Sequence, residues 1–233
     1  MNINNNPQSA IFAEEASHYH YYHLEYKLND GVATDDLVAN LKLAIAEHTN
    51  VTQAFAFGKD CLSLLGVEAP KQLVDFPEMS GVKGFSMPSS QGDVMVWLKS
   101  PSQSDLVDKL MVVQNAMSVV ASLILEQSGF NYHNSRDMIG FVDGTGNPKT
   151  DELRLQAAVI PSDQLGAGGS YVLTQKWVTN LTKFNHCPVS EQEKIIGRTK
   201  ETDIEFEGDE QPNNSHVSRT DVSVDGVAQK IWR

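Results

Sequence analysis

No apolar run in the chain is long enough to span a bilayer, which excludes a transmembrane helix as its organising element. The start, Met1 to Ala10, is polar and rich in asparagine. It lacks the basic segment and apolar core of a secretory signal, so the cytoplasm is the expected compartment. Cysteine is scarce. Cys61 and Cys187 are the two present, and they form no CxxC pair. They read as idle thiols, not as a disulfide or a metal pair. With no secretory segment, the glycosylation-like contexts at Asn50, Asn180 and Asn213 read as chance matches. Basic residues are also few: 18 Lys and Arg stand against 30 Asp and Glu, a net charge of −12. That argues against nucleic acid or an anionic membrane as the main partner.

What remains has the composition of an ordinary globular protein. The 233 residues are 40% hydrophobic and 21% charged, enough for one large or two small domains with a buried core. A mixed run over residues 17–28 reads as a strand. Leu37, Leu41, Ala44 and Ile45 lie at helical spacing within Thr34 to His48, with Asp35 and Asp36 near the positive end of that helix. Val51 to Phe57 reads as a strand, Gly58 to Gly66 as a short helix, residues 67–91 as a long loop, and Val94 to Leu98 as a strand. The strongest periodicity runs from Ser104 to Gln127, where Leu106, Leu110, Val113, Met117, Val120 and Ile124 form one stripe. Ser102 and Asp105 have capping spacing at its start, and Gly129 lies past its end. This order is most of a ferredoxin-like βαββαβ unit. A second round starts near Met138. It includes a strand over Tyr171 to Val178, a helix over Ser190 to Ile196 capped by Ser190 and Glu193, a solvated acidic loop over Thr202 to Asn214, and a strand over Val227 to Arg233.

The richest stretch for chemistry is Gly140-Phe141-Val142-Asp143-Gly144-Thr145-Gly146-Asn147-Pro148. It places an acid between two glycines after an apolar run. Glycine permits close backbone approach to a ligand, and a polar group at such a bend suits chemistry. Taken alone, Asp143 reads as a turn aspartate, His216 as a surface or core histidine, and Arg233 as a terminal residue. A calcium loop from Asp143 to Arg154 fails, because Pro148 and Arg154 replace the required Gly and Glu. His18 and His20 share a strand face that His23 does not, so they read as ordinary strand residues. His186 beside Cys187 has no second pair to complete a zinc site.

The joint pattern is more specific. The acid motif is followed by Ser215-His216-Val217-Ser218-Arg219 and Lys230-Ile231-Trp232-Arg233. Together with Ala56 to Asp60, Gly169 to Val172 and Glu191 to Lys200, this order resembles the dye-decolourising peroxidase family of haem proteins, in its compact bacterial branch. The resemblance implies an α+β fold of two ferredoxin-like βαββαβ halves, related to a dimeric α+β barrel. Residues 1–130 would form the first half and 131–233 the haem-binding second. It implies one haem b per chain, with His216 as axial ligand, Asp143 as distal acid, Arg233 as distal arginine, and Arg198 facing a haem propionate. Gly144, Thr145 and Gly146 would line the cofactor. The family continues beyond the position of Arg233, so the second half is expected to be incomplete, lacking pocket walls and the acidic partner of the proximal histidine. That is expected to weaken haem retention.

The implied reaction is peroxidase turnover, with hydrogen peroxide as oxidant and small organic molecules such as dyes or phenols as one-electron donors. A homo-oligomer is expected. Imidazole suits haem iron. A positioned carboxylate can move the peroxide proton, and with an ordinary aspartate pKa of about 3.9 an acidic optimum follows. An arginine stays cationic and supports the departing oxygen. Tyr171, Trp177 and Trp232 are candidate surface relays. The alternatives are a haem-binding or haem-delivery protein with little peroxidase activity, and a cofactor-free fragment that packs into an oligomer.

Overall fold

The computed structural model describes residues 6–12, 19–220, 222–224 and 227–229. They divide into two compact units, one formed by residues up to Phe130 with Arg154–Leu173, the other by Asn131–Leu153 with the residues from Thr174 onward. The first unit contains β1 (His20–Leu28), α1 (Thr34–Ile45), β2 (Thr52–Phe57), α2 (Lys59–Leu64), β3 (Met79–Ser80), β4 (Ser86–Met87), β5 (Val94–Ser100), α3 (Gln103–Met117) and β6 (Ala121–Phe130). Four strands form one antiparallel sheet in the order β2-β5-β1-β6, while β3 and β4 make a small separate hairpin in the long loop. This is a complete ferredoxin-like unit.

Alternation along the strands sets its core. Leu24 lies opposite Val96, and Tyr26 opposite Val94, all on the face that meets the helices. Leu37 and Ala44 of α1 and Leu106, Val113 and Met117 of α3 close the layer from above. Ser102 accepts a hydrogen bond from the Asp105 amide at 3.2 Å, so α3 starts at the expected cap.

The helical stripe of residues 104–127 is cut short. The helix ends at Met117, and β6 begins at Ala121. Val120 stays buried, but Ile124 is 47% exposed. The open side of β1 explains the switch. Residues from Ala121 to Phe130 pair with it along the whole length from Leu28 to His20, with one bulge between Glu25 and Tyr26. That ladder outweighs the helical pattern of the segment.

Beyond β6 the boundary between units falls within α4 (Asp151–Ala158). The following loop belongs to the first unit. Gly166, with φ +87°, lies so close to Pro70 that a Cβ would come within 2.6 Å of its ring. The second unit holds α5 (Leu181–Asn185), α6 (Val189–Ile196), α7 (His216–Thr220), and a hairpin of β7 (Val222–Val224) with β8 (Val227–Gln229). The strand expected over Tyr171–Val178 is absent: these residues are irregular and largely exposed. The cap expected at Ser190 is also replaced. The helix starts one residue earlier, the amides of Glu191 and Gln192 bond the Pro188 carbonyl, and the Glu193 carboxylate accepts from the Lys200 amide instead. Among the described residues no barrel closes, and the expected strand end at Lys230 to Arg233 lies outside them.

Lys109 occupies a core position of α3 and is fully buried. Its Nζ donates to the carbonyls of Ala44 at 2.6 Å and Ala46 at 2.5 Å. These carbonyls end α1, which has no glycine cap, so a buried cation supplies the missing donors. Desolvation lowers the Lys109 pKa. The unfolded chain therefore binds more protons than the folded one between that depressed value and the ordinary 10.5. This group's contribution to stability should rise with pH across that window. Lys109→Met should lose about 1–3 kcal/mol of stability at neutral pH, from the stranded carbonyls, and lose that alkaline rise as well. Urea unfolding of both proteins at pH 7 and pH 10 measures both effects.

Candidate functional site

The described residues expected to hold or face the cofactor, Asp143 to Gly146, Arg198 and His216, lie in the second unit. Asp143 is on an exposed loop that follows Phe141, itself 3% exposed and packed edge-on against Phe184 at 6.3 Å. Val142 bridges to Arg136, and the Asp143 amide donates to the Ser135 carbonyl at 2.8 Å. The Asp143 Oδ1 accepts from the Gly144 amide at 2.9 Å. Gly144 has φ +73°, and a Cβ there would meet Asn147 Nδ2 at 3.0 Å, so the bend requires glycine. Gly146 has open space where a Cβ would stand.

The turn before Asp143 is tightly bonded. Asp137 Oδ1 accepts from the amides of Ile139 at 3.0 Å and Phe141 at 3.1 Å. Desolvation raises the pKa of its carboxyl, with the neighbouring Asp143 acting in the same direction and the backbone donors opposing. Thr145 is anchored on its far side, where its hydroxyl donates to Asp203 Oδ2 at 2.5 Å.

Arg198 follows α6 directly. The helix ends on Gly197, with φ +98°, and Arg198 bridges back to Glu205 in a tight hairpin. Its Nε lies 2.7 Å from Asp203 Oδ1, a close ion pair whose alignment falls short of a hydrogen bond. Its Nη2 donates to the Asp203 carbonyl at 3.3 Å, and Glu205 is 3.8 Å from Nη1. Asp203 itself has φ +58°, a left-handed conformation that aspartate tolerates better than most residues. Within the acidic loop expected to be solvated, Asp203 is therefore an exception, half-buried between Thr145 and Arg198.

His216 is exposed and opens the short helix α7. Ser215, fully buried, caps that helix by accepting from the Ser218 amide at 3.2 Å. A Cβ on Gly197 would come within 2.8 Å of the Ser215 hydroxyl and 2.7 Å of Gln211 Oε1. The glycine after α6 is thus what lets the residue before His216 sit where it does. A surface cavity of about 370 Å³ beside α7 is lined by Phe206, Gln211 and Val217 among others, but not by Asp143, Arg198 or His216. Arg233 and Trp232 lie outside the described residues. Tyr171 and Trp177 are both exposed. His18 also lies outside, while His23 pairs with Glu25 at 2.7 Å.

The structure thus ties the Asp143 loop to the Arg198 hairpin and builds the His216 helix onto the same segment. The residues that join these parts are Arg136, Gly197, Asp203 and Ser215; the sequence reading passed over Arg136 and Asp203, and held Gly197 and Ser215 only as members of motifs, with no role given to them. Asp203 was hidden in an acidic run, and Arg136 stands outside the glycine motif that drew attention.

Comparison with known proteins supplies a family. Residues 23–131 match the family model described as Dyp-type peroxidase, N-terminal, and residues 134–233 match its C-terminal counterpart. The dye-decolorizing peroxidase of Rhodococcus erythropolis is 37% identical over 151 residues, covering 65% of this chain and 44% of that protein. The dye-decolorizing protein of Vibrio cholerae superposes with a TM-score of 0.80 at 33% identity, covering 97% of this chain and 76% of that one. A variant of Rhodococcus jostii DypB, solved in complex with heme, superposes with a TM-score of 0.83 at 28% identity, covering 98% and 76%. The chain spans about half the length of the curated relatives it matches.

Two substitutions test the scaffold. Gly197→Ala adds a Cβ at a left-handed position against Gln211 and Ser215, and should cost about 1–3 kcal/mol of stability by urea unfolding. Asp203→Asn keeps the tolerated backbone but removes the charge facing Arg198. Discounted for partial solvent access, it should cost about 1 kcal/mol and speed amide exchange over residues 198–205.

Proposed function

The chain belongs to the Dyp-type peroxidase family, and from that premise we propose that it is a haem-dependent peroxidase that reduces hydrogen peroxide and oxidises small organic donors such as dyes or phenols in one-electron steps. The observation that carries this reading is the pair of family models matched in order along the chain, with Asp143, Arg198 and His216 all inside the C-terminal one. The halves at residues 1–130 and 131–233 would then divide the labour, the second holding haem b.

The donor set fits that cofactor. His216 presents an exposed imidazole at the start of a helix capped by Ser215, and imidazole is a common ligand of haem iron. Arg198 offers a guanidinium held beside Asp203, a cation of the kind that would face a carboxylate such as a haem propionate. When bound, haem supplies the redox chemistry with peroxide. The protein's part is placement and proton handling. His216 would hold the iron from one side. Asp143 would take a proton from one peroxide oxygen and return it to the other. The open position at Gly146 would let backbone approach the cofactor, Gly144 would supply the bend, and Thr145 holds their loop to Asp203. Arg233 would stabilise negative charge on the departing oxygen. A homo-oligomer in the cytoplasm completes the proposal. No helix among the described residues is long and apolar enough to cross a membrane. The reading as a haem carrier with little turnover is less well supported, since the matched family models and the relatives named above bear peroxide or dye chemistry in their names.

His216→Ala should remove the Soret band from haem-reconstituted protein while circular dichroism stays unchanged. A retained band with unaltered iron ligation would overturn the assignment. Asp143→Asn preserves shape and removes the base, so the rate constant for reaction with hydrogen peroxide should fall by about 10²–10⁴-fold in stopped flow.

A further inference from the structure

We propose that Arg136 is a positioning residue that clamps the Asp143 loop onto the turn of residues 198–203. Its significance for catalysis rests on the acid–base role given to Asp143 above. The guanidinium is half-buried, and its donors reach three carbonyls on two separate segments. Nη1 donates to Gly140 at 2.7 Å and to Lys200 at 2.6 Å, and Nη2 donates to Glu201 at 3.2 Å. A planar fork with fixed donor directions can bridge these carbonyls, and a single ammonium cannot match that geometry.

The clamp has a counterpart. Gly140 stands three residues before Asp143, and Thr145 two residues after it. Gly140 is fixed by Arg136 to Lys200 and Glu201, and Thr145 is fixed to Asp203. Both ends of the loop are therefore pinned to the same short turn, and Arg198 is the first residue of that turn. Lys200 adds to the grip. Its Nζ lies 5.5 Å from the Phe141 ring centre and donates to Gln192 Oε1 at 2.7 Å. A Cβ on Gly140 would come within 2.7 Å of Lys200 Cε, so the close approach depends on glycine.

The backbone beside Arg136 shows what the clamp opposes. His133, Asn134 and Ser135 have φ of 31°, 50° and 64°, three consecutive left-handed residues that are not glycine. Such conformations persist where the surrounding structure over-determines them. Ser135 is also the residue whose carbonyl receives the Asp143 amide. Arg136 thus stands between a strained turn and the acid it supports. Its own amide donates to the carbonyls of Tyr132 and His133.

The test uses the full chain reconstituted with haem, comparing wild type with Arg136→Lys and Thr145→Val. Hydrogen exchange should accelerate at the amides of Gly140, Phe141 and Asp143 by at least about tenfold in Arg136→Lys, with α3 and β5 unchanged. The rate constant with hydrogen peroxide should fall by about ten- to a hundredfold, while haem affinity holds within about twofold. Thr145→Val, which releases the other anchor, should loosen the same amides, and it carries the test if Arg136→Lys does not fold. Unchanged exchange at these amides in the folded variants would overturn the clamp. Equal losses of haem affinity and peroxide rate would overturn it too, by making Arg136 a general folding residue. A wild-type peroxide rate in Asp143→Asn would sink the acid–base reading alone, and accelerated exchange in Arg136→Lys would then still establish the clamp.

Discussion

The second unit is organised around one carboxylate. Asp203 receives the Thr145 hydroxyl on one oxygen, faces Arg198 with the other, and gives its carbonyl to Arg198 as well. Two segments far apart in sequence, the glycine-rich acid loop and the hairpin after α6, meet at this residue. The left-handed backbone of Asp203 makes the geometry possible, because the turn brings side chain and carbonyl to the same side. Without that charge the guanidinium would keep Glu205, at 3.8 Å and more exposed, as its described carboxylate neighbour. Fixing a reactive carboxylate on a loop needs such external anchors, since loops lack the internal ladders that hold helices and strands.

The hairpin is itself positioned by a helix end. Gly197 terminates α6 in a left-handed conformation and turns the chain so that Arg198 can bridge to Glu205 and Phe206 can bond the Gly197 carbonyl. The missing Cβ at Gly197 leaves room for Gln211 and Ser215. Ser215 then caps α7, and the next residue is His216. A run of backbone constraints therefore links the end of one helix to the start of another, with the candidate ligand at its end.

Much of the first unit was legible in the sequence because its signals were periodic. The Leu37–Ala44 spacing, the extended runs over residues 17–28 and 94–98, and the Ser102 cap each correspond to an element found there. Where periodicity misled, it was through a partner invisible in one dimension. Val120 and Ile124 kept helical spacing, yet the unpaired side of β1 drew their segment into a strand. The second unit was less legible because its order comes from side chains that capture backbone groups across long separations. Nothing local in Tyr171 to Val178 shows that its β-branched residues would remain irregular. The acidic run from Glu201 to Glu210 gives no hint that Asp203 turns inward. The motif residues Asp143, Arg198 and His216 could be named from the resemblance. The residues that hold them in place could not, since an arginine bonded to carbonyls leaves no complementary charge in the sequence.

That last feature has a common physical basis. A chain with 18 basic residues against 30 acidic ones has many carboxylates to pair, yet several of its cations are directed to carbonyls instead. Lys109 closes α1, Arg136 gathers Gly140, Lys200 and Glu201, and Lys149 reaches the Gly144 carbonyl at 3.3 Å. A cation on a surface carboxylate gains little and is screened by salt. A cation donating to carbonyls at a helix end or a bent loop satisfies groups that have no ladder partner, and a charged donor makes a stronger bond than a neutral one. Such contacts are directional and so fix geometry, and because a neutral carbonyl does not cancel the cation they leave its field in place. In the second unit the loop carrying Asp143 is held in part by such donors aimed at its backbone, with Asp137 as a neighbouring carboxylate. Placement and field are therefore coupled: the donors that hold the acid loop, Arg136 at Gly140 and Lys149 at Gly144, also bring positive charge to it.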